Sequence, residues 1–298
     1  MARYGAVEAG GTKFVCALGD SPDGITDTCR IDTTTPQETL TAVVDFFRPH
    51  HEASPLDGLG IGSFGPVDLD RTSPSYGHIT STPKPGWAQT DIAGFLGNEL
   101  SLPVGFDTDV NAAALGEHRW GAACDVDNFV YLTVGTGIGG GAMVNGQMLH
   151  GLVHPEMGHI PVPRDMERDA AFDGVCPFHG DCLEGLASGP ALEARWGRPA
   201  NELPSDHQAW DLQAHYLALG LWSFVCTLSP QRLILGGGVM DQEHLLPRVR
   251  SRLQEVAQGY LQAPELGDQI DRFVVSPGLG SRAGISGALA LAQMAAQA

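Results

Sequence analysis

Short apolar runs alternate with glycine-rich turns and with longer stretches of helical period along this chain. YGAV (residues 4–7) and FVCAL (14–18) flank the turn EAGGTK (8–13). Apolar runs bounded by glycine and threonine predict the two strands of a hairpin. The same pattern returns near the middle as FVYLTV (129–134), GTGIGGG (135–141) and AMVNG (142–146), about 125 residues further on. Such an echo predicts two related domains, each opening on a glycine hairpin. Between the hairpins the pattern predicts a helix over 37–47, a strand LGIGSFGPVD (59–68) and a loop STPKPGW (81–87). An amphipathic stretch TDIAGFLGNEL (90–100), a strand PVGFDTD (103–109) and a helix from Asn111, with Asn111 as its N-cap, follow. The second half reads as a long helix over 210–227, a strand RLILGGG (232–238), a helix over 245–258, a strand DRFVVSP (271–277) and an Ala-rich end. Strands alternating with helices predict an α/β protein with mixed sheets. We place the domains at 1–115 and 116–298, with the last helix packing back on the first domain.

Composition narrows the class. With 43% apolar and 17% charged residues over 298 positions, the chain is globular and large enough for two cores. Its longest apolar stretch, around Leu217 to Leu228, is too short and interrupted to span a bilayer. Glu8 and Lys13 break any signal-peptide pattern at the start, which predicts a cytoplasmic protein with reduced thiols. The net charge of −18 disfavours phosphate backbones and anionic lipid, so neither nucleic acid nor membrane is an expected partner. Arg supplies nearly all the positive charge; the two lysines are Lys13 and Lys84.

GTGIGGG resembles a dinucleotide fingerprint, but that motif requires a helix directly after the turn. Here it runs into AMVNG, whose Asn-Gly signals a further hairpin turn. AGGTK lacks the spacing and order of a Walker loop. Two hairpins remain, whose backbone N–H groups and Thr12 or Thr136 hydroxyls can cradle phosphate oxygens. Between them, Asp109 falls where a strand gives way to a helix, a place that faces a crevice in α/β sheets. A carboxylate there can orient a sugar hydroxyl and accept its proton during phosphoryl transfer; Asp107 and Asp109 as loop-capping residues is the plainer alternative. CPFHGDC (176–182) supplies Cys176, His179 and Cys182, three ligands for a metal that wants four in a tetrahedron.

EAGGTK, GSFGPVD, STPKPGW, TDVNAAALGE, TVGTGIGGG, HPEMGHIPV, CPFHGDCLEG and LILGGGV stand in the order and spacing of the ROK family of sugar kinases, which the chain resembles over nearly its whole length. Within that family it is most similar to the zinc-containing bacterial fructokinases. The resemblance implies an actin-like ATPase (ribonuclease H-like) fold, with two domains flanking an active-site cleft. It implies Mg-ATP as phosphoryl donor, a hexose as acceptor at its 6-hydroxyl, with D-fructose foremost, and a homodimer. Mannose, glucose and N-acetylmannosamine are the other sugars it allows, and a non-catalytic sugar sensor the other class. The family's sugar-responsive repressors carry a helix-turn-helix domain ahead of the first hairpin, which here begins within the first ten residues.

By the same resemblance, Glu8, Gly10, Gly11, Thr12 and Lys13 form the first phosphate loop and Gly135, Thr136, Gly137 and Gly139 the second. Gly236, Gly237 and Gly238 lie by the adenosine, Asp109 is the base, and Thr108, Glu156, His159 and Glu184 reach the sugar. His159 also supplies the fourth ligand of a structural zinc, with His154 as its competitor. The chain departs from the family twice: many members carry Asp at the position of Glu8, and its glucokinases carry Asn at that of Thr108.

Overall fold

The protein, described here as a computed structural model over residues 2–298, forms two units. The first runs through Cys124 and adds Met148–Pro155 and Gly278–Ala298; the second takes Asp125–Gln147 and Glu156–Pro277. In chain order the elements up to residue 124 are β1 (Tyr4–Ala9), β2 (Lys13–Gly19), β3 (Asp27–Asp32), α1 (Pro36–Ala53), β4 (Gly58–Ser63), β5 (His78–Ile79), β6 (Thr90–Asp91), α2 (Ile92–Leu100), β7 (Val104–Thr108) and α3 (Asp109–Trp120). Then come β8 (Phe129–Val134), β9 (Ile138–Val144), β10 (Gln147–Met148), α4 (Leu183–Ala187), α5 (Gly189–Trp196), α6 (Ala209–Leu228), β11 (Arg232–Gly236), α7 (Leu245–Ala257), α8 (Ile270–Phe273), β12 (Val274–Val275) and α9 (Ala283–Ala295).

The first unit is built on a sheet of order β3-β2-β1-β4-β7. β1, β2 and β3 pair antiparallel, while β1, β4 and β7 run parallel. The two-residue period of a strand sorts its side chains between two cores. Val7, Phe14 and Leu18 pack with Leu40, Val43 and Phe47 of α1 and Leu96 of α2. Tyr4, Ala6 and Ala17 pack with Ile285, Ala288 and Leu289 of α9. The Ala-rich end of the chain is explained by that second face. A Cβ on Gly60 of β4 would lie 1.8 Å from the Ala288 carbonyl oxygen, so α9 rests almost backbone to backbone on the sheet. The register aligns Ala9, Ser63 and Thr108 in one row across the carboxyl ends of β1, β4 and β7.

The second unit repeats this plan with the order β10-β9-β8-β11-β12. β8 and β9 form the antiparallel hairpin, and β8, β11 and β12 run parallel. α6 packs against α7 and α4. Among the described residues no helix is long and apolar enough to cross a membrane.

Several elements differ from their sequence expectation. A boundary at residue 115 would cut α3, and the first unit continues to Cys124. β4 stops at Ser63, five residues short of the expected end, and Pro66, which has no N–H to give to a ladder, follows three residues later. β3 was not expected from the apolar pattern. It is an edge strand whose side chains are exposed or half-buried, so its residues DTCRID carry no apolar alternation. The segment DRFVVSP is divided between α8 and the two-residue β12. The second glycine turn is shorter than GTGIGGG suggests: β9 begins at Ile138, and Gly139 to Gly141 lie inside the strand. Space requires this at Gly140, where a Cβ would come within 2.5 Å of the Met157 sulfur. The N-cap of α3 is Thr108, not Asn111.

Candidate active site

In the first unit, the row Ala9–Ser63–Thr108 sets the first glycine loop and Asp109 at the same edge of the sheet, where α/β proteins bind their ligands. The loop is held from within and from β3's end. Gly10 N–H donates to the Lys13 carbonyl (3.0 Å), Thr33 N–H to the Thr12 carbonyl (3.0 Å), and the Thr33 hydroxyl to the Gly10 carbonyl (2.7 Å). Thr12 is exposed and Lys13 half-buried; a Cβ on Gly11 would meet nothing within 4 Å. Glu8 shares the α9-facing side of β1 with Tyr4 and Ala6. Its carboxylate therefore meets the start of α9, where it accepts from Ile285 N–H, and a Cβ on Gly284 would lie 2.6 Å from it. Burial raises its pKa, opposed by the Lys13 charge and the Ile285 bond. Helix amino termini favour a carboxylate in this position.

Asp109 is the first residue of α3 and half-buried, and its Oδ1 accepts from Val110 N–H at 2.8 Å. Thr108 was expected to offer its hydroxyl to the sugar. That hydroxyl accepts from Asn111 N–H at 3.0 Å, which leaves its O–H as a donor, and the residue is 3% exposed. An orphan N–H at the start of a helix needs such an acceptor. Asn111, relieved of capping, donates through Nδ2 to Asp107 Oδ1 at 2.7 Å. Asp107 also accepts from Thr108 N–H (2.8 Å) and, through Oδ2, from His150 Nε2 (2.9 Å). Sequence reasoning missed His150 entirely, because its partner lies 43 residues away. Glu117 closes the same motif as a buried brace, accepting from the backbone N–H groups of Ala122, Gly278 and Leu279.

In the second unit, Gly135 to Gly137 leave the end of β8 beside the loop after β11. Gly237, at φ +92°, lies so close to β8 that a Cβ would stand 2.5 Å from Val134 N. Val239 N–H donates to the Val134 carbonyl at 3.0 Å, and Gly189 N–H to the Gly135 carbonyl at 2.7 Å. Gly135 and Gly237 to Gly238 thus come together, whereas Gly139 pairs with Thr133 within the sheet. Thr136 is exposed at the turn. Glu184 accepts from Ile138 N–H at 2.9 Å, and a Cβ on Gly137 would lie 2.6 Å from its Oε2, so the carboxylate braces this hairpin directly. Glu156 is exposed, and its carbonyl accepts from His159 N–H at 3.0 Å.

His159, Cys176, His179 and Cys182 bring one ligand atom each within 4.8 Å of one another. His159 Nδ1 is 3.6 Å from each sulfur, and Cys176 Sγ is 3.7 Å from His179 Nδ1. Zinc bonds of about 2.3 Å to sulfur and about 2.0–2.1 Å to nitrogen, at tetrahedral angles, put S and N about 3.6 Å apart. The donor set fits a closed tetrahedral site. Burial pushes the Cys182 thiol up to about 11, and a divalent cation is what makes such a sulfur a thiolate at neutral pH. Since Nδ1 faces the sulfurs, His159 keeps Nε2 for another partner. His154 is not part of the cluster: its Nε2 accepts from Val67 N–H at 3.1 Å in the first unit. The reverse bridge between Cys176 and Gly180 closes the ligand loop, and Cys182 caps α4, which carries Glu184.

The chain is similar to a putative fructokinase of Bacillus subtilis, with 49% identity over 99% of this chain and 96% of that protein. It is 46% identical to a fructokinase of Zymomonas mobilis over 97% of this chain and 96% of that one. Among solved structures, the ROK hexokinase from Thermus thermophilus superposes with a TM-score of 0.78 at 27% identity, covering 99% of both chains. The ROK family profile matches residues 4–295, and with both sheets and both glycine loops in place the chain belongs to the ROK family, with that family's actin-like α/β fold.

Proposed function

We propose that this protein transfers the γ-phosphoryl group of ATP to the 6-hydroxyl of a hexose, with D-fructose as the preferred sugar. The observation that carries the reading is the row Ala9–Ser63–Thr108, which sets the phosphate-sized loop Gly10–Lys13 and the half-buried Asp109 at one sheet edge. Asp109 orients the attacking hydroxyl and takes its proton; Lys13 and the loop N–H groups meet phosphate oxygens. Magnesium arrives with ATP as part of the substrate. Gly135, Thr136 and Gly137 form a second phosphate cradle, the glycines after β11 accept the adenosine, and Glu156, Glu184 and His159 Nε2 reach sugar hydroxyls. Fructose is favoured by the fructokinases at 46–49% identity. The Thr108 hydroxyl accepts from Asn111 N–H as the cap of α3, which leaves its own O–H to donate.

The four-residue cluster holds a structural zinc, which orders the loop between His159 and Glu184 when bound. Six free cysteines fit the reducing interior of a cell. The test of specificity is ADP release measured across fructose, mannose, glucose and N-acetylmannosamine. The expected kcat/KM for fructose is at least about tenfold above that for glucose, worth roughly 1.4 kcal/mol of transition-state binding, with mannose between. A panel led by glucose or N-acetylmannosamine overturns the fructose assignment, and no ADP release with any hexose overturns the kinase reading.

A further inference from the structure

Met148–Pro155 belongs to the first unit although its neighbours on both sides belong to the second. It brings His150 to the junction of β7 and α3. There His150 Nε2 lies 2.9 Å from Asp107 Oδ2 and 3.3 Å from Asn111 Nδ2. The imidazole is therefore bracketed by the residues two before and two after Asp109. Asp107 is 4% exposed and Asn111 1%. Asp107 accepts through both oxygens, so its carboxylate is fixed from three sides by Thr108 N–H, Asn111 Nδ2 and His150. The His150 side chain, by contrast, is 43% exposed.

A buried carboxylate that fixes one ring nitrogen leaves the other nitrogen oriented and available. Asp107 accepts, so Nε2 carries the proton and Nδ1 is the ring nitrogen left for another partner. We infer that His150 is a substrate-binding residue, whose Nδ1 hydrogen-bonds a second hydroxyl of the sugar whose 6-hydroxyl Asp109 deprotonates. This rests on the kinase reading above. A hydroxyl suits the site better than a phosphate. It both donates and accepts, so it pairs with Nδ1 in the neutral ring and with Nδ1–H in the charged one. The imidazolium's charge is already offset by Asp107, and Lys13 stands at the phosphate loop itself. His150 is thus a sugar contact carried by the first unit, oriented by Asp107 and separate from the residues the family pattern supplies.

The experiment compares wild-type protein with His150→Gln and His150→Ala. Glutamine's amide can still donate to Asp107 while the imidazole Nδ1 is lost, so the fold is kept and the contact removed; a melting temperature matching wild type near pH 9 checks this. Fructose affinity is measured by calorimetry without nucleotide, and kcat and KM by ADP release. Both variants are expected to raise the fructose Kd and KM roughly tenfold, the scale of one lost hydrogen bond in a sugar site, with KM for ATP within twofold of wild type. A His150→Gln protein whose fructose Kd and KM match wild type overturns the inference. A fall in kcat with fructose affinity intact also overturns it, leaving His150 as a brace for Asp109. Wild-type protein that neither binds nor phosphorylates any hexose fails at the earlier step and takes this inference with it.

Discussion

The two sheets have the same strand order, yet their carboxyl ends carry different chemistry. In the first unit that edge bears side chains that titrate: Glu8 on β1, Asp107 on β7 and Asp109 at the start of α3. In the second unit it is almost all backbone, with Gly135 to Gly137 after β8 and Gly236 to Gly238 at the end of β11. The same strand order thus presents carboxylates in one unit and glycine backbone in the other. Their means of support differ too. The first sheet is completed by α9, from the far end of the chain. The second relies on an insertion between β10 and α6 that contains the four metal-type ligands. A duplicated fold need not divide labour evenly, and the difference can be tested one unit at a time.

The largest effect is expected at Asp109. Asp109→Asn keeps the shape and the bond from Val110 N–H but removes the proton acceptor. The expected fall in kcat is roughly 10²–10⁴-fold, with fructose affinity nearly unchanged. A variant that keeps more than about a tenth of wild-type kcat moves the base elsewhere and removes the contrast between the two sheet edges.

A smaller, structural effect is expected in the second unit. Protein purified without added metal should contain about one zinc per chain. Cys182→Ser should lose it and melt about 5 °C lower, on the scale of roughly 2–3 kcal/mol for a chain of this size. Hydrogen exchange should show the loss confined to the loop from His159 to Glu184, with β1 and β4 as protected as before. A metal-free wild-type protein that is fully folded and active defeats the zinc proposal.

What was legible in the sequence follows from how local each signal is. The hairpins at residues 4–18 and 129–144 are written in consecutive apolar runs and glycines. The spacing of Cys176, His179 and Cys182 is equally local. His159 was placed with them only through the family pattern, since nothing in its own neighbourhood favours it over His154. Asn111 was misread because an Asn before an apolar run is a good N-cap in isolation. Only the fold shows that Asp107 claims its amide and that Thr108 stands one turn earlier. Asp107 itself looked like an ordinary capping residue, because the histidine that gives it a role arrives from a separate segment. Thr108, two residues past the glycine-containing VGF run, carries the cap that was assigned to Asn111.

The smallest effect concerns pH and the pair His150–Asp107. The hydrogen bond to Asp107 is the main cause raising the His150 pKa above 6.5, with the carboxylate's charge adding to it and partial burial opposing it. A histidine whose pKa is higher in the folded than the unfolded protein contributes stability that is complete below its unfolded value. That contribution is lost as pH rises through the raised folded value. Because the His150 side chain is 43% exposed, solvent screening limits the pair to about 1 kcal/mol at most, or about 2 °C in melting temperature. His150→Gln retains a donor to Asp107 but not the charge. The difference in melting temperature between wild type and this variant should therefore be greatest near pH 6 and shrink toward pH 9. It should also shrink at high salt, as an exposed pair is screened. A gap that widens with pH would mean that His150 is held neutral, and that Asp107 orients the ring without charging it.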